Sequence, residues 1–344
     1  MANRINDMNN FVASKIEAAA RKEIGDFSIS TRLLHLTNNE FDWLNDVKRL
    51  KYTDIGNLKV AMIVNQKKDS YYLVVSSVLD SALEINDESL ELLDVSTPIF
   101  IAAVNFCDLN VLPSYSSAYI KDLMYAEEYD ERVKSQFGGY ELENISNIFD
   151  HIDVFKCPSR EYNNIDFLTL VSKIVLDNRQ LCKLDFTTAT FSAFEDALLG
   201  NVKNENLLCA LNSYCWRYCF LDVYRCVEPL FPYPSVLKLK DLLGMPDLEK
   251  LKNSVSAALS WKAKEENAMQ LLFDNTDTTK ISFIDKISSK EGTGKKIYEL
   301  RNRIVHHQNA DTDMETVLTK EEWDSLICFL LENLNMMYSK YGPL

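Results

Sequence analysis

The stretch Lys295-Lys296-Ile297-Tyr298-Glu299-Leu300-Arg301-Asn302-Arg303-Ile304-Val305-His306-His307-Gln308 decides how the C-terminal half of this chain is read. Ile297, Leu300, Ile304 and Val305 recur at helical spacing, which predicts an amphipathic helix. On that helix Asn302 and His306 are one turn apart and share a face. Arg301 is rotated away from His306 and reaches it only by swinging its long side chain across the mouth of a groove. The chain has four histidines, and two of them fall here.

The charge of this stretch differs from that of the rest. From Lys286 to Gln308 six Lys and Arg stand against Glu291 and Glu299, a local +4, in a chain whose net charge is -14. An acidic chain does not coat nucleic acid by bulk electrostatics. A basic patch on an acidic body directs a polyanion to one place instead. The same residues also fit a solvated helix end preceded by a lysine-bearing loop.

Arg301, Asn302 and His306 together resemble the R-x(4–6)-H motif of HEPN ribonucleases, in the form Arg, polar residue, three residues, His. The context is similar as well, with a mostly helical region, the motif on the penultimate expected helix and one helix after it. The resemblance covers residues 185–344 and leaves residues 1–184 unassigned. It implies an all-α HEPN-like bundle and a metal-independent endoribonuclease that needs no cofactor. Arg301, Asn302 and His306 would be its catalytic residues, and the product would carry a 2′,3′-cyclic phosphate.

RNA supplies its own nucleophile, the 2′-OH. The protein must then supply a base, an acid and positive charge at the phosphorane. His306 is the candidate base or acid, in the last turn of its helix, where the helix dipole favours a cation. Arg301 can hold a phosphate bidentately. Asn302 can orient the imidazole or donate to a phosphate oxygen. Lys295, Lys296 and Arg303 are candidate contacts to the RNA backbone. One histidine cannot comfortably be acid and base together. The family's usual solution is a homodimer with two motifs facing one cleft, which implies dimerisation here through the C-terminal helices. Relatives of this kind often serve in prokaryotic toxin or antiviral systems. By that analogy residues 1–184 are an accessory half that senses a trigger or binds a regulatory protein or ligand.

A second reading belongs to another class: a non-catalytic helical scaffold, dimerisation or RNA-binding protein. In an enzyme Arg301, Asn302 and His306 line a concave, solvent-reached groove. In a scaffold they are dispersed or paired with carboxylates.

Outside the motif the chain reads as α+β. Asn3 to Ile24 is an amphipathic helix. Leu58 to Val64 and Tyr71 to Val78 form a hairpin about Asn65-Gln66-Lys67-Lys68-Asp69. Thr97 to Phe106, opened by Pro98, suits a buried strand, and His151 to Lys156 a further one. Residues 1–184 are therefore expected to be a mixed α/β module. Helices follow at Asp166 to Asn178 and Thr190 to Leu199. Glu205 to Glu228 reads as one long helix, apolar nearly all round, fit for a bundle centre or a subunit interface. Asp247 to Phe273 reads as another, with a shorter one over Asp277 to Ile287. Thr319-Lys320-Glu321-Glu322 is a capping box opening a last helix that runs to about Met337.

Length and composition, 344 residues with 47% hydrophobic and 26% charged, suit a globular chain of two domains or one large one. The start has no signal-peptide core and no apolar run reaches membrane-spanning length, so a cytoplasmic protein with no membrane partner is expected. Eight irregularly spaced cysteines suggest reduced thiols. Cys215, Cys219 and Cys226 share a helix face, but the spacing is not CxxC, and packing is expected in place of metal binding. Gly292-Thr293-Gly294-Lys295-Lys296 fails the phosphate-loop pattern, because Ser289 stands where Gly is needed and Lys296 where Ser or Thr should bind Mg²⁺. It reads as a lead-in to the motif helix.

Overall fold

The computed structural model describes residues 2–24, 29, 34–56, 58–67, 69–77, 83–128, 140–200, 202, 205–244, 247–259, 263–274, 276–306 and 318–341. Backbone contacts divide the chain into two units, Met1–Phe167 and Leu168–Leu344. The chain is α+β: an antiparallel five-stranded sheet with helices, then a largely helical region. No helix among the described residues is long and apolar enough to cross a membrane.

In the first unit α1 (Ala2–Ile24) buries Met8, Val12, Ile16 and Ala20, one residue per turn, as its apolar period requires. After α2 (Asn38–Asp46), capped by a Thr37–Glu40 capping box, come β1 (Val47–Asp54), β2 (Leu58–Asn65) and β3 (Ser70–Ser77). The expected hairpin is β2–β3, in register from Leu58↔Ser77 to Asn65↔Ser70. Val78 lies outside the described residues. Asp69 closes the turn with φ 44°, a conformation Asp tolerates better than most residues. With β4 (Glu91–Leu93) and β5 (His151–Cys157) the sheet order is β1-β2-β3-β5-β4, every neighbour antiparallel. One face of the sheet, with Ala61, Ile63, Val74, Ile152 and Val154, shares a core with α1 and with α3 (Thr97–Phe106).

The segment Thr97–Phe106 is thus a helix and not the expected strand. Its apolar run carries no period that separates a buried strand from a buried helix. Two other features decide it. Ser96 stands at the N-cap and Pro98 in the first turn, where a fixed φ and a missing N–H suit a helix start. Ten residues are also long for a strand. Short helices α4 (Ser117–Glu128) and α5 (Leu142–Ser146) complete this unit.

α6 (Asn164–Asp177) spans the division between the units. The second unit continues with α7 (Thr188–Leu199), α8 (Glu205–Leu211), α9 (Trp216–Val227), α10 (Tyr233–Leu243), α11 (Leu248–Leu259) and α12 (Glu265–Phe273). A 3-10 run over Thr279–Lys286 precedes α13 (Thr293–His306), and α14 (Lys320–Tyr341) follows it. The expected long helix Glu205–Glu228 is two helices. At the break the Ser213 hydroxyl accepts from the Cys215 N–H (3.3 Å) and donates to the Cys215 carbonyl (3.0 Å). Such local bonds compete with the helical ladder. The expected helix over Asp247–Phe273 is likewise divided into α11 and α12, and the one over Asp277–Ile287 is the 3-10 run.

The helix apolar on nearly every side is α14, which buries Leu326, Ile327, Phe329, Leu330, Leu331 and Leu334 and packs on α7 and α9. It opens with the expected capping box: the Thr319 N–H donates to Glu322 (3.0 Å) and the Glu322 N–H to the Thr319 hydroxyl (3.2 Å). One turn on, buried Asp324 accepts from the Thr187 N–H (3.1 Å) and hydroxyl (2.7 Å), joining α14 to the N-cap of α7. Asp324→Ala strands both donors and is expected to cost about 2–3 kcal/mol, read as a lower urea midpoint. Asp324→Asn, which keeps one acceptor, should cost less.

Candidate functional site

α13 begins where two glycines permit it. Gly292 has φ +94°, and a Cβ on Gly294 would lie 2.3 Å from the Met269 carbonyl oxygen of α12. The glycines of the lead-in therefore serve a turn and a close helix–helix approach. Ile297, Leu300 and Ile304 are buried as their spacing predicts, whereas Val305 is exposed. Its neighbour His306, the last residue of α13, is exposed too, and its ring makes no hydrogen bond or ion pair with the described residues. His307 lies outside those residues.

Arg301 is half-buried, and three groups fix it. Its Nη1 donates to Asn302 Oδ1 (3.0 Å), its Nη2 lies 3.7 Å from Glu228 Oε1, and its guanidinium carbon stands 5.8 Å from the Tyr224 ring centre. The Glu228 contact is too long for a hydrogen bond. A guanidinium has five donors, so several stay available to an incoming oxyanion. Tyr224 is itself buried, and its hydroxyl has no hydrogen-bond partner among the described residues. Burial holds its phenol well above the ordinary tyrosine range, with Arg301 pulling the other way. Tyr224 and Glu228 are four residues apart at the end of α9, so one helix face presents both to Arg301.

The expected basic patch is paired in space. Lys286 bonds Glu322 (2.5 Å), Lys290 bonds Glu266 (2.6 Å), Lys296 pairs with Asp285, and Arg303 with Glu299 (2.6 Å). Lys295 alone of the six basic side chains has no carboxylate within ion-pair reach among the described residues; its backbone N–H donates to Gln270 (3.3 Å). These carboxylates come mostly from other elements, so the local charge excess of the sequence is largely offset in the fold. Arg301, Asn302 and His306 are absent from the linings of the four described cavities, of about 380, 290, 550 and 150 Å³. Among the described residues no group of three or more His, Cys, Asp or Glu is placed to hold a metal ion. Cys219 and Cys226 are buried in α9, while Cys215 stands at its N-cap.

Glu299 gathers Arg303, Lys290 (3.8 Å) and the Ser288 hydroxyl (2.6 Å) beneath the motif. Ser288 foremost, then Arg303 and Lys290, hold its carboxyl below the usual carboxylate range against the effect of burial. A depressed folded-state value gives stability that is present above the unfolded value and lost as pH falls through the folded one. Glu299→Gln should therefore lower the melting temperature at pH 7. The gap to wild type should close as pH drops below about 4. Melts from pH 7 to 3 read both effects; parallel curves would refute the linkage.

Comparison with known proteins found no matching family, no similar curated protein and no similar solved structure.

Proposed function

We propose that this chain is a metal-independent endoribonuclease of the HEPN type, with Arg301, Asn302 and His306 as its catalytic residues. The observation that carries this reading is the state of Arg301. It is half-buried, contacts Asn302 and Tyr224, and keeps donors free on the same helix as the exposed His306. A guanidinium so held meets a phosphate with little loss of side-chain freedom.

In the reaction the RNA 2′-oxygen attacks phosphorus while its proton passes to one imidazole. The P–O5′ bond breaks, and the departing 5′-oxygen takes a proton from a second imidazole. A 2′,3′-cyclic phosphate and a 5′-hydroxyl result. Arg301 neutralises the charge that builds on the non-bridging oxygens, and Asn302 orients Arg301 or donates to the same oxygens. Lys295 is the basic neighbour free to follow the RNA backbone. Lys296 and Arg303 can do so only by leaving Asp285 and Glu299.

Each chain offers one His306, so acid and base require two copies. A homodimer is the expected solution state, with the two α13 C-termini at one cleft. Light scattering at micromolar concentration should give about twice the chain mass. A monomer that still cleaves RNA would remove the two-histidine mechanism. The carboxylate pairing of the basic side chains favours the second reading, a helical scaffold in which α13 is only structural. Incubating the purified chain with RNA in excess EDTA, beside its His306→Ala variant, separates the two.

A further inference from the structure

A cavity of about 380 Å³ opens in the first unit, and no residue of the motif lines it. Phe100 and Phe149 are among its lining residues, their rings edge-to-face at 5.5 Å. Tyr115 also lines it and stacks on Tyr119 at 5.2 Å. The rim carries Asn147, Asp150 and His151. A bond from the Leu112 N–H to the Ile148 carbonyl (2.8 Å) and a bridge between Val111 and Phe149 tie the Tyr115 loop to the segment bearing Asp150. The walls are thus held by backbone as well as by packing.

The polar rim is poor in partners. Asp150 is half-buried and makes no hydrogen bond or ion pair with the described residues. Lys59, the cation that acts on it, donates instead to the Asp108 carbonyl (2.9 Å). Burial pushes the Asp150 carboxyl up, with Lys59 pulling the other way. The carboxamide of Asn147 is likewise unengaged among those residues. His151 Nε2 meets Asp153 Oδ1 (3.2 Å), which leaves Nδ1 as its free ring nitrogen. No Lys or Arg lines the cavity.

We propose that this pocket binds a guanine nucleoside, with the base stacked on Tyr115 and its adjacent N1–H and N2–H groups donated to Asp150. The chemistry follows from the inventory. A lone carboxylate demands donors, and two parallel N–H groups satisfy both of its oxygens. An aromatic wall favours a flat ring. The volume lies in the range of small-ligand sites and exceeds what a bare guanidinium fills. No Lys or Arg of the lining is there to pair with a phosphate, so the nucleoside fits better than the nucleotide. This site does not depend on the ribonuclease reading.

The test uses the full chain and calorimetric titration with guanosine, adenosine, guanosine 5′-monophosphate and Nα-acetylarginine amide. Guanosine should bind. Adenosine, which lacks the paired donors, and the monophosphate should bind at least about tenfold more weakly. Asp150→Asn should weaken guanosine about 10- to 100-fold without lowering the melting temperature, because it removes a charge short of partners. Tyr115→Ala should weaken it and Tyr115→Phe should not. The proposal fails if guanosine does not bind, if adenosine binds equally, or if Asp150→Asn binds like wild type. It fails also if the arginine derivative binds more tightly, since the donor edge would then belong to a side chain.

Discussion

His306→Ala and Arg301→Ala are each expected to abolish the proposed RNA cleavage, with losses of about 10²- to 10⁴-fold for the imidazole and of similar size for the guanidinium. The structure says why such losses would report chemistry. His306 is exposed at the end of α13 and makes no hydrogen bond or ion pair with the described residues, so its removal leaves the packing of Ile297, Leu300 and Ile304 intact. Arg301 is held by a loose ion pair, one hydrogen bond to its own neighbour and one aromatic ring. Such contacts contribute about 1 kcal/mol each or less, too little to unfold a domain. Unchanged melting curves should therefore accompany both losses. Arg301→Lys sharpens the test. It keeps the charge but loses the planar fork, and should recover only part of the activity. Wild-type cleavage rates in His306→Ala would end the assignment.

α1, the β2–β3 hairpin and the capping box of α14 were readable because each is written locally, in a period, a turn and a cap. Thr97–Phe106 was misread because a fully buried segment shows no period; the cue lay in Ser96 and Pro98. Glu205–Glu228 is two helices in place of the expected one because local bonds of Ser213 break a run whose apolar character shows no interruption. Near the motif the limit is different. Arg301, Asn302 and His306 are singled out by their resemblance to the HEPN motif, and their helix forms over Thr293–His306. Nothing local shows that Tyr224 and Glu228 meet Arg301, or that Glu322, Glu266 and Asp285 offset the lysines around it. Those are tertiary pairings. The four-residue step from Tyr224 to Glu228 is visible in the sequence, but not what it faces.

A substrate with a single 2′-deoxy sugar at the cut site should not be cleaved at all, while the all-ribose parent is cleaved equally well with and without EDTA. The expectation follows from what the site can supply. In the proposed mechanism Arg301 supplies fixed positive charge and His306 a proton-transfer group, and the attacking oxygen is the RNA 2′-OH. Removing the 2′-OH removes the nucleophile and leaves binding nearly unchanged. Loss at the deoxy site should thus be complete, with the oligonucleotide still competing for the enzyme. Salt should act differently. With most basic side chains already paired to carboxylates, few phosphate contacts are free to form, so affinity should fall only shallowly with ionic strength. A steep salt slope would mean that those ion pairs open for RNA. Cleavage at the deoxy position, or activity lost in EDTA and restored by Mg²⁺, would instead make the nucleophile a metal-activated water. The proposed roles of Arg301 and His306 would then fall together.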